Sequence, residues 1–220
     1  MSEDAEADTP QRLFWTRRLS LTTRILAVNV IALVLLAGSL FYLDSYRNRL
    51  IAERFSLARA EVQIAAEALG PLSRTRRKSL LMRIGAEQKL RLRLYDAKGR
   101  LLADSFELVG PAFTFADPET EPWYMDAARA IDRGVDFLVG APPIPDYTES
   151  DKPDASAWPE VAEARASEAT VIRQRLAPDR TPVITAAAPA GEKGDVLLTT
   201  RNAPDITENI REARQTLAII

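Results

Sequence analysis

Asp117, Glu119, Glu121 and Asp126 fall close together in the chain, with Phe113, Phe115 and Trp123 interspersed. Carboxylates that crowd one another, or that aromatic rings desolvate, hold protons more tightly than free ones. This group is therefore the first candidate for a response to acidity. The chain contains no histidine, the side chain that ordinarily titrates between pH 5 and 8. A second acidic set, Asp146, Glu149, Asp151 and Asp154, follows in a Pro- and Ser-rich loop. Oxygen clusters of this kind also suit Ca²⁺ or Mg²⁺; the plain alternative is a solvated loop that keeps a domain soluble. A different pattern comes from arginines. Arg91 and Arg93 alternate in one strand-like run, and Arg173 and Arg175 in another. On one sheet face, the four could receive an anion or an acidic partner; otherwise they form the wet side of a sheet.

Catalysis finds little support. With neither histidine nor cysteine, the chain cannot build Ser-His-Asp or Cys-His catalysis, a His-based zinc site or a phosphohistidine. No Gly-rich phosphate loop and no nucleophile–base pair occurs. The expectation is a non-enzymatic chain with no metal and no cofactor. Charge is nearly balanced overall, 29 basic against 31 acidic residues, but segregated. Asp44 to Arg100 holds fourteen basic and six acidic residues; Leu101 to Glu168 holds four and fifteen. A nucleic-acid binder would show a dominant basic face, so none is expected.

The elements that must position these groups begin with Ile25 to Leu43, nineteen residues without a charge. That is close to the roughly 20 apolar residues a helix needs to cross hydrocarbon. Ala37-Gly38-Ser39 would suit signal-peptide cleavage, but the run continues through Leu40-Phe41-Tyr42-Leu43, an aromatic interfacial ending that favours an uncleaved anchor. Asp44 to Leu69 has no Gly or Pro and should continue the helix. Ile51, Phe55, Ala58, Val62, Ala65 and Leu69 step by four and three, the seam of a two-helix contact. Leu43, Leu50, Leu57 and Ile64 repeat every seven and form a second stripe. One stripe can serve the domain and the other a second subunit, which favours a homodimer.

Gly70-Pro71 ends that helix. Ser73 to Gln88 reads as a basic amphipathic helix, a possible contact for anionic membrane lipid. Leu90 to Asp104, alternating about an Asp-x-x-Gly turn, predicts a β-hairpin with Leu90, Leu92 and Leu94 toward a core. Trp123 to Phe137 predicts a helix with Met125, Ala128, Ile131 and Val135 inward. Gly140 to Pro159 reads as a solvated loop, and Trp158-Pro159-Glu160 opens a short helix. Three strands follow, Ala169 to Leu176, Pro182 to Ala188 and Asp195 to Thr200. A last helix carries Ile206, Ile210, Ala213 and Leu217 on one seam, with Ile206, Ile210 and Leu217 joining Ile51, Phe55, Val62 and Leu69 as candidate dimer or signalling positions.

The expected fold class is α+β. A transmembrane helix (25–43) follows a cytoplasmic tail (1–24) and leads into a PAS-like (PDC) periplasmic sensing domain with an antiparallel sheet (44–216). Residues 217–220 then start a second span. At this point the chain resembles the ChvG/ExoS-type sensor histidine kinases of alphaproteobacteria. The resemblance rests on Ser20-Leu21-Thr22-Thr23-Arg24-Ile25-Leu26-Ala27-Val28-Asn29, on Leu92 to Ser105, on Trp158-Pro159-Glu160-Val161, and on Pro182 to Pro189 leading to Leu197-Leu198-Thr199-Thr200. It implies an inner-membrane protein whose missing portion is an ATP- and Mg-dependent histidine kinase acting on a response regulator. Acidic pH and a periplasmic regulatory protein are the inputs it implies. The same sensor could instead serve a chemoreceptor or a cyclic-dinucleotide enzyme, and a membrane-tethered periplasmic adaptor is the third possibility.

Overall fold

The computed structural model describes residues 20–117, 120, 122–138, 140–149, 154–191 and 193–204, with all helical side chains there except those at 40, 43, 44, 128, 132, 135 and 138. The predicted helix through Ile206, Ile210 and Leu217 lies outside the described residues. Two compact units divide the chain, Met1–Leu40 and Phe41–Ile220.

The first unit holds the start of helix α1 (Leu21–Leu69). Its span-like window is Leu21–Ser39, with a mean hydropathy of 2.0 and no part of it buried by protein. The window shares residues 25–39 with the predicted 25–43. Ser39 donates its hydroxyl to the Leu36 carbonyl at 2.8 Å, so the helix answers its own polar group, as hydrocarbon requires.

The second unit is built on a five-stranded antiparallel sheet in the order β2-β1-β5-β4-β3. Its strands are β1 (Arg91–Tyr95), β2 (Leu101–Asp104), β3 (Val171–Leu176), β4 (Pro182–Pro189) and β5 (Val196–Asn202). The β1–β2 turn forms as the Asp-x-x-Gly spacing predicts. Asp96 Oδ1 accepts from the Lys98 and Arg100 amides at 2.8 and 2.9 Å, and Gly99 takes φ +79°. These bonds, Arg100's backbone N–H first, hold the Asp96 carboxyl below its ordinary range.

Strand alternation sends side chains to two faces, and both are covered. Leu92, Leu94, Ile184, Ala186, Ala188 and Leu197 meet the late part of α1 and helix α2 (Arg74–Gln88) on the first face. Here α1 presents Phe55, Ala58, Val62, Ala65, Ala66 and Leu69. Of the two stripes, this seam is the one that serves the domain's own core: small alanines let α1 lie close to the sheet, and Val62 and Leu69 are fully buried. Ile51 packs instead beside Ala203. Of the seven-residue stripe, Leu57 and Ile64 stay outward, 41% and 67% exposed, and Leu50 is half-buried.

Polar ties fix α1 at three levels. Asp136 takes Arg47 of α1 and Arg180 of the β3–β4 turn, each at 2.7 Å. Glu61 meets Arg201 of β5 at 2.7 Å. Just past the helix end, the Gly70 and Leu72 amides donate to the Ala66 and Leu69 carbonyls, and Arg77 donates to the Gly70 and Leu72 carbonyls and pairs with Asp195 at 2.7 Å.

Three short or unusual elements complete the unit. Helix α3 (Ser105–Val109) is capped by Asp104, which accepts from the Phe106 amide. Helix α5 (Pro159–Ser167) follows a 3₁₀ turn (Ala155–Ala157) and has Pro at its start, as predicted. Helix α4 (Trp123–Leu138) reverses expectation. Met125 is half-buried, but Ile131 is 63% exposed, while the buried position is Arg129. Its charged side faces the domain because Asp136 is held there by two arginines. Ala128 and Val135 fall outside the described side chains.

Candidate functional site

The second sheet face carries Tyr95, Val183, Ala187, Val196 and Leu198, roofed by Trp158, Val161 and Ala164 of the α5 region and by Tyr147. Strand register places Arg91, Arg93, Arg173 and Arg175 on this same face, Arg91 lying in one row with Thr200, Thr185 and Arg173. The sequence expectation of a shared face is met, but the face is dry at its centre. Arg93 and Arg175 are buried.

Trp158 organises the centre. Its ring stacks under Arg93 at 4.5 Å and Arg175 at 5.2 Å from guanidinium carbon to ring centroid. Glu160, two residues on in the first turn of α5, is fully buried and grips Arg175 with both oxygens, at 2.8 and 2.9 Å. Thr185 donates to the same carboxylate at 2.6 Å. Burial alone would raise the Glu160 carboxyl; the Arg175 and Thr185 bonds outweigh it and hold the group below its ordinary value.

Beside this pair lies a second charged set. Asp104, at the end of β2, takes Arg91 at 2.7 Å and lies 3.6 Å from Arg93. Burial by itself would lower the Arg91 guanidinium, but Asp104 and Glu149 reverse that and raise it. Glu149 reaches Arg91 at 2.8 Å, Arg93 at 3.4 Å and the Tyr147 hydroxyl at 2.9 Å. Burial drives the Tyr147 phenol up to about 12, so it remains a neutral donor. Rings connect the whole: Phe106, Phe113, Phe115, Tyr147 and Trp158 touch in succession, with centroids 5.0 to 5.6 Å apart.

The four candidate arginines are therefore answered by carboxylates of the chain itself. Arg173, at the edge, pairs with Glu163 of α5. What the arrangement can do is hold α5, the hairpin and the 140s loop together through charge, with Glu149 as its solvent-facing member, 48% exposed. The loop expected to be wholly solvated supplies Tyr147, whose amide donates to the Leu176 carbonyl at the β3 edge.

Of the first acidic group, Asp117 is exposed, Asp126 is exposed and pairs with Arg129, and Trp123 is 80% exposed. Phe115 joins the Trp158 cluster instead. Glu119 and Glu121 lie outside the described residues. Among the described residues, no group of three or more acidic side chains is placed to hold a metal. Sequence reasoning missed Glu160, Asp104 and Tyr147. The spacing Trp158-Pro159-Glu160 was the available signal for the first, since a helix-opening Glu two residues after a buried Trp must share its environment.

Comparison with known proteins agrees with this layout. Residues 11–75 match a sensor N-terminal transmembrane domain, and residues 72–179 match a stimulus-sensing domain. The chain is similar to the sensor protein ChvG of Agrobacterium fabrum (strain C58), 27% identical over 188 residues, covering 66% of this chain and 31% of that protein. It is similar also to the sensor protein ChvG of Rhizobium meliloti (strain 1021), 26% identical over 184 residues, covering 66% and 32%. The chain thus spans about a third of the length of these relatives. A sensor transmembrane domain passes directly into a stimulus-sensing domain that contains nearly all of the Trp158 network, and in this the chain is similar to the sensing region of ChvG-type sensors.

Proposed function

We propose that this region is the periplasmic sensing and inner-membrane anchoring portion of a two-component sensor histidine kinase. The observation that carries the reading is α1, one helix that holds the apolar window and then enters the domain core through Val62 and Leu69. Its Glu61 pairs with Arg201 of β5 and its Arg47 with Asp136 of α4, so a change in the sheet would reach the part of α1 that packs there. Small displacements of packed helices switch between discrete arrangements. The sheet and its flanking helices would make a PAS-like (PDC) domain, and a second span would follow residue 220. ATP and Mg would be needed only by the kinase module, and a response regulator would meet only that module. A second copy of the chain and a periplasmic regulatory protein are the partners of the sensing region.

If acid is the stimulus, Glu160 is a poor switch, because its bonds keep it ionised through mild acidity. The solvent-facing contact of the network is Glu149, which bridges Arg91, Arg93 and Tyr147, and Glu149→Gln would loosen that bridge.

Fusions test the topology. Alkaline phosphatase joined after Asn202 should be active, and green fluorescent protein there should be dark. In the longer gene product, ATP should label a histidine, which must lie outside this chain because the chain has none. An inactive phosphatase fusion, or no labelled histidine, would replace the kinase reading with the adaptor or another receptor class.

A further inference from the structure

Helix α4 is amphipathic the wrong way round for a soluble domain. Its charged residues Asp126, Arg129, Arg133 and Asp136 share one arc, of which Arg129 is buried against the domain and Asp136 is fixed by Arg47 and Arg180, while Asp126 and Arg133 stay exposed at its border. The opposite arc is apolar throughout: Trp123 is 80% exposed, Ile131 63% and Phe137 85%, with Tyr124 beside them and Ala127, Ala130 and Gly134 between. An apolar face of this kind on a folded domain marks a surface that something else covers.

The place of α4 in the chain says what that is. Its Asp136 is bound to Arg47, which follows Ser39, the last residue of the span-like window, by eight residues. Eight residues reach at most roughly 28 Å even fully extended, so the sequence itself keeps Arg47 near the headgroup layer. Trp, Tyr and Phe are the side chains that prefer this layer. Behind the helix lies a cavity of about 530 Å³, walled by Arg47, Arg133, Arg180 and one acid, Asp136, together with the Gly140–Ile144 segment. Asp136 is committed to Arg47 and Arg180, and Arg133 has no charged partner among the described residues. Three cations against one carboxylate leave the cavity positive.

We propose that α4 is an interfacial helix, its aromatic arc set among lipid headgroups, and that the Arg47–Arg133–Arg180 groove takes the phosphate of an anionic phospholipid. The proposal rests on α1 crossing the bilayer, but on no property of a kinase module. It would set the domain against the membrane by a second contact, independent of the span.

The absence of cysteine allows single spin labels at chosen sites. Leu35→Cys, Ile131→Cys, Phe137→Cys and Lys98→Cys are made in the full chain and reconstituted in phosphatidylcholine bilayers with increasing phosphatidylglycerol. Labels at 35, 131 and 137 should favour contact with dissolved oxygen, and the label at 98, in the exposed β1–β2 turn, contact with an aqueous nickel chelate. Arg133→Gln, read through the label at 137, should raise the half-saturating phosphatidylglycerol fraction about fivefold, the worth of about 1 kcal/mol per arginine at an anionic surface. Nickel contact at 131 and 137 with oxygen contact at 35 would overturn the proposal and leave the span standing. Nickel contact at 35 as well would bring down both. Spin–spin broadening at 137 without lipid dependence would give the face to a second copy, and displacement of the lipid response by inorganic phosphate would make the groove a free-anion site; either result refutes the assignment. So would an unchanged midpoint for Arg133→Gln.

Discussion

Replacing Arg175 by methionine tests whether the Trp158 network is held by charge. Arg175 supplies Glu160 with two charged hydrogen bonds, at 2.8 and 2.9 Å, and without them the carboxylate keeps only neutral donors, the Thr185 hydroxyl and its own backbone amide. Glu160 has no solvent exposure to fall back on. Removing one partner of a buried pair costs about 3–5 kcal/mol, because an uncompensated charge stays behind. For a domain of this size that lowers Tm by roughly 6–20 °C, at about 2–4 °C per kcal/mol. The pH dependence identifies the source. In the parent the folded-state carboxyl lies below its ordinary value of 4.5, so its contribution is complete above that value and is lost as pH falls through the lower one. In Arg175→Met, burial is left without its counterweight and the carboxyl moves up. The damage should then shrink between pH 7 and pH 4, toward the ~1–3 kcal/mol of a buried neutral group with an incomplete set of hydrogen bonds. Glu160→Leu combined with Arg175→Met should return stability close to the parent, since neither charge remains. Thermal unfolding in micelles, followed by near-ultraviolet circular dichroism, reads all three variants. An equal loss at pH 7 and pH 4, or a double variant no better than the single, would refute a charge origin.

Other outcomes follow from the same contacts. Gly85→Ala should destabilise by about 1–3 kcal/mol, because its new Cβ would lie 2.9 Å from the Ser105 Cβ and disturb the hydroxyl that accepts from the Leu92 amide. Gly134→Ala, where a Cβ meets nothing within 4 Å, should gain about 0.5–1 kcal/mol in a chemical-melt comparison. Tyr147→Phe should remove one late-titrating phenol from the absorbance titration near pH 12, leaving Tyr95, which burial also raises, as the other slow group. Ile64→Glu should weaken self-association tenfold or more, for roughly 1.5–3 kcal/mol of lost burial, without moving Tm, as measured by sedimentation. Unchanged association would remove the seven-residue stripe from the dimer contact.

Much of the fold follows from local patterns, because strand alternation and turn chemistry act over a few residues. The Asp96–Gly99 turn, the Pro-led start of α5 and all five strands belong to this class. What periodicity cannot say is which face is covered. Arg91 and Arg93 alternate with leucines and read as a wet side, yet Trp158 and Tyr147 arrive from more than fifty residues away to cover Arg93. The same limit explains α4. Its apolar arc was legible, and the natural rule sends such an arc inward; the ion pairs of Asp136 with Arg47 and Arg180 turn the charged side in instead.

Both failures have one physical cause, and it bears on how the domain could signal. A guanidinium can be buried if a carboxylate and an aromatic ring replace its water, so in this chain charge, as well as apolar area, decides which surfaces meet. Contacts of that kind are specific in partner and answer to protons or ions, whereas apolar packing does not. The leucine and alanine contacts of α1 therefore supply cohesion. The Arg–carboxylate contacts of Glu149, Asp136 and Glu61, each at a place where an element joins the sheet or α1, are where a stimulus could change the balance.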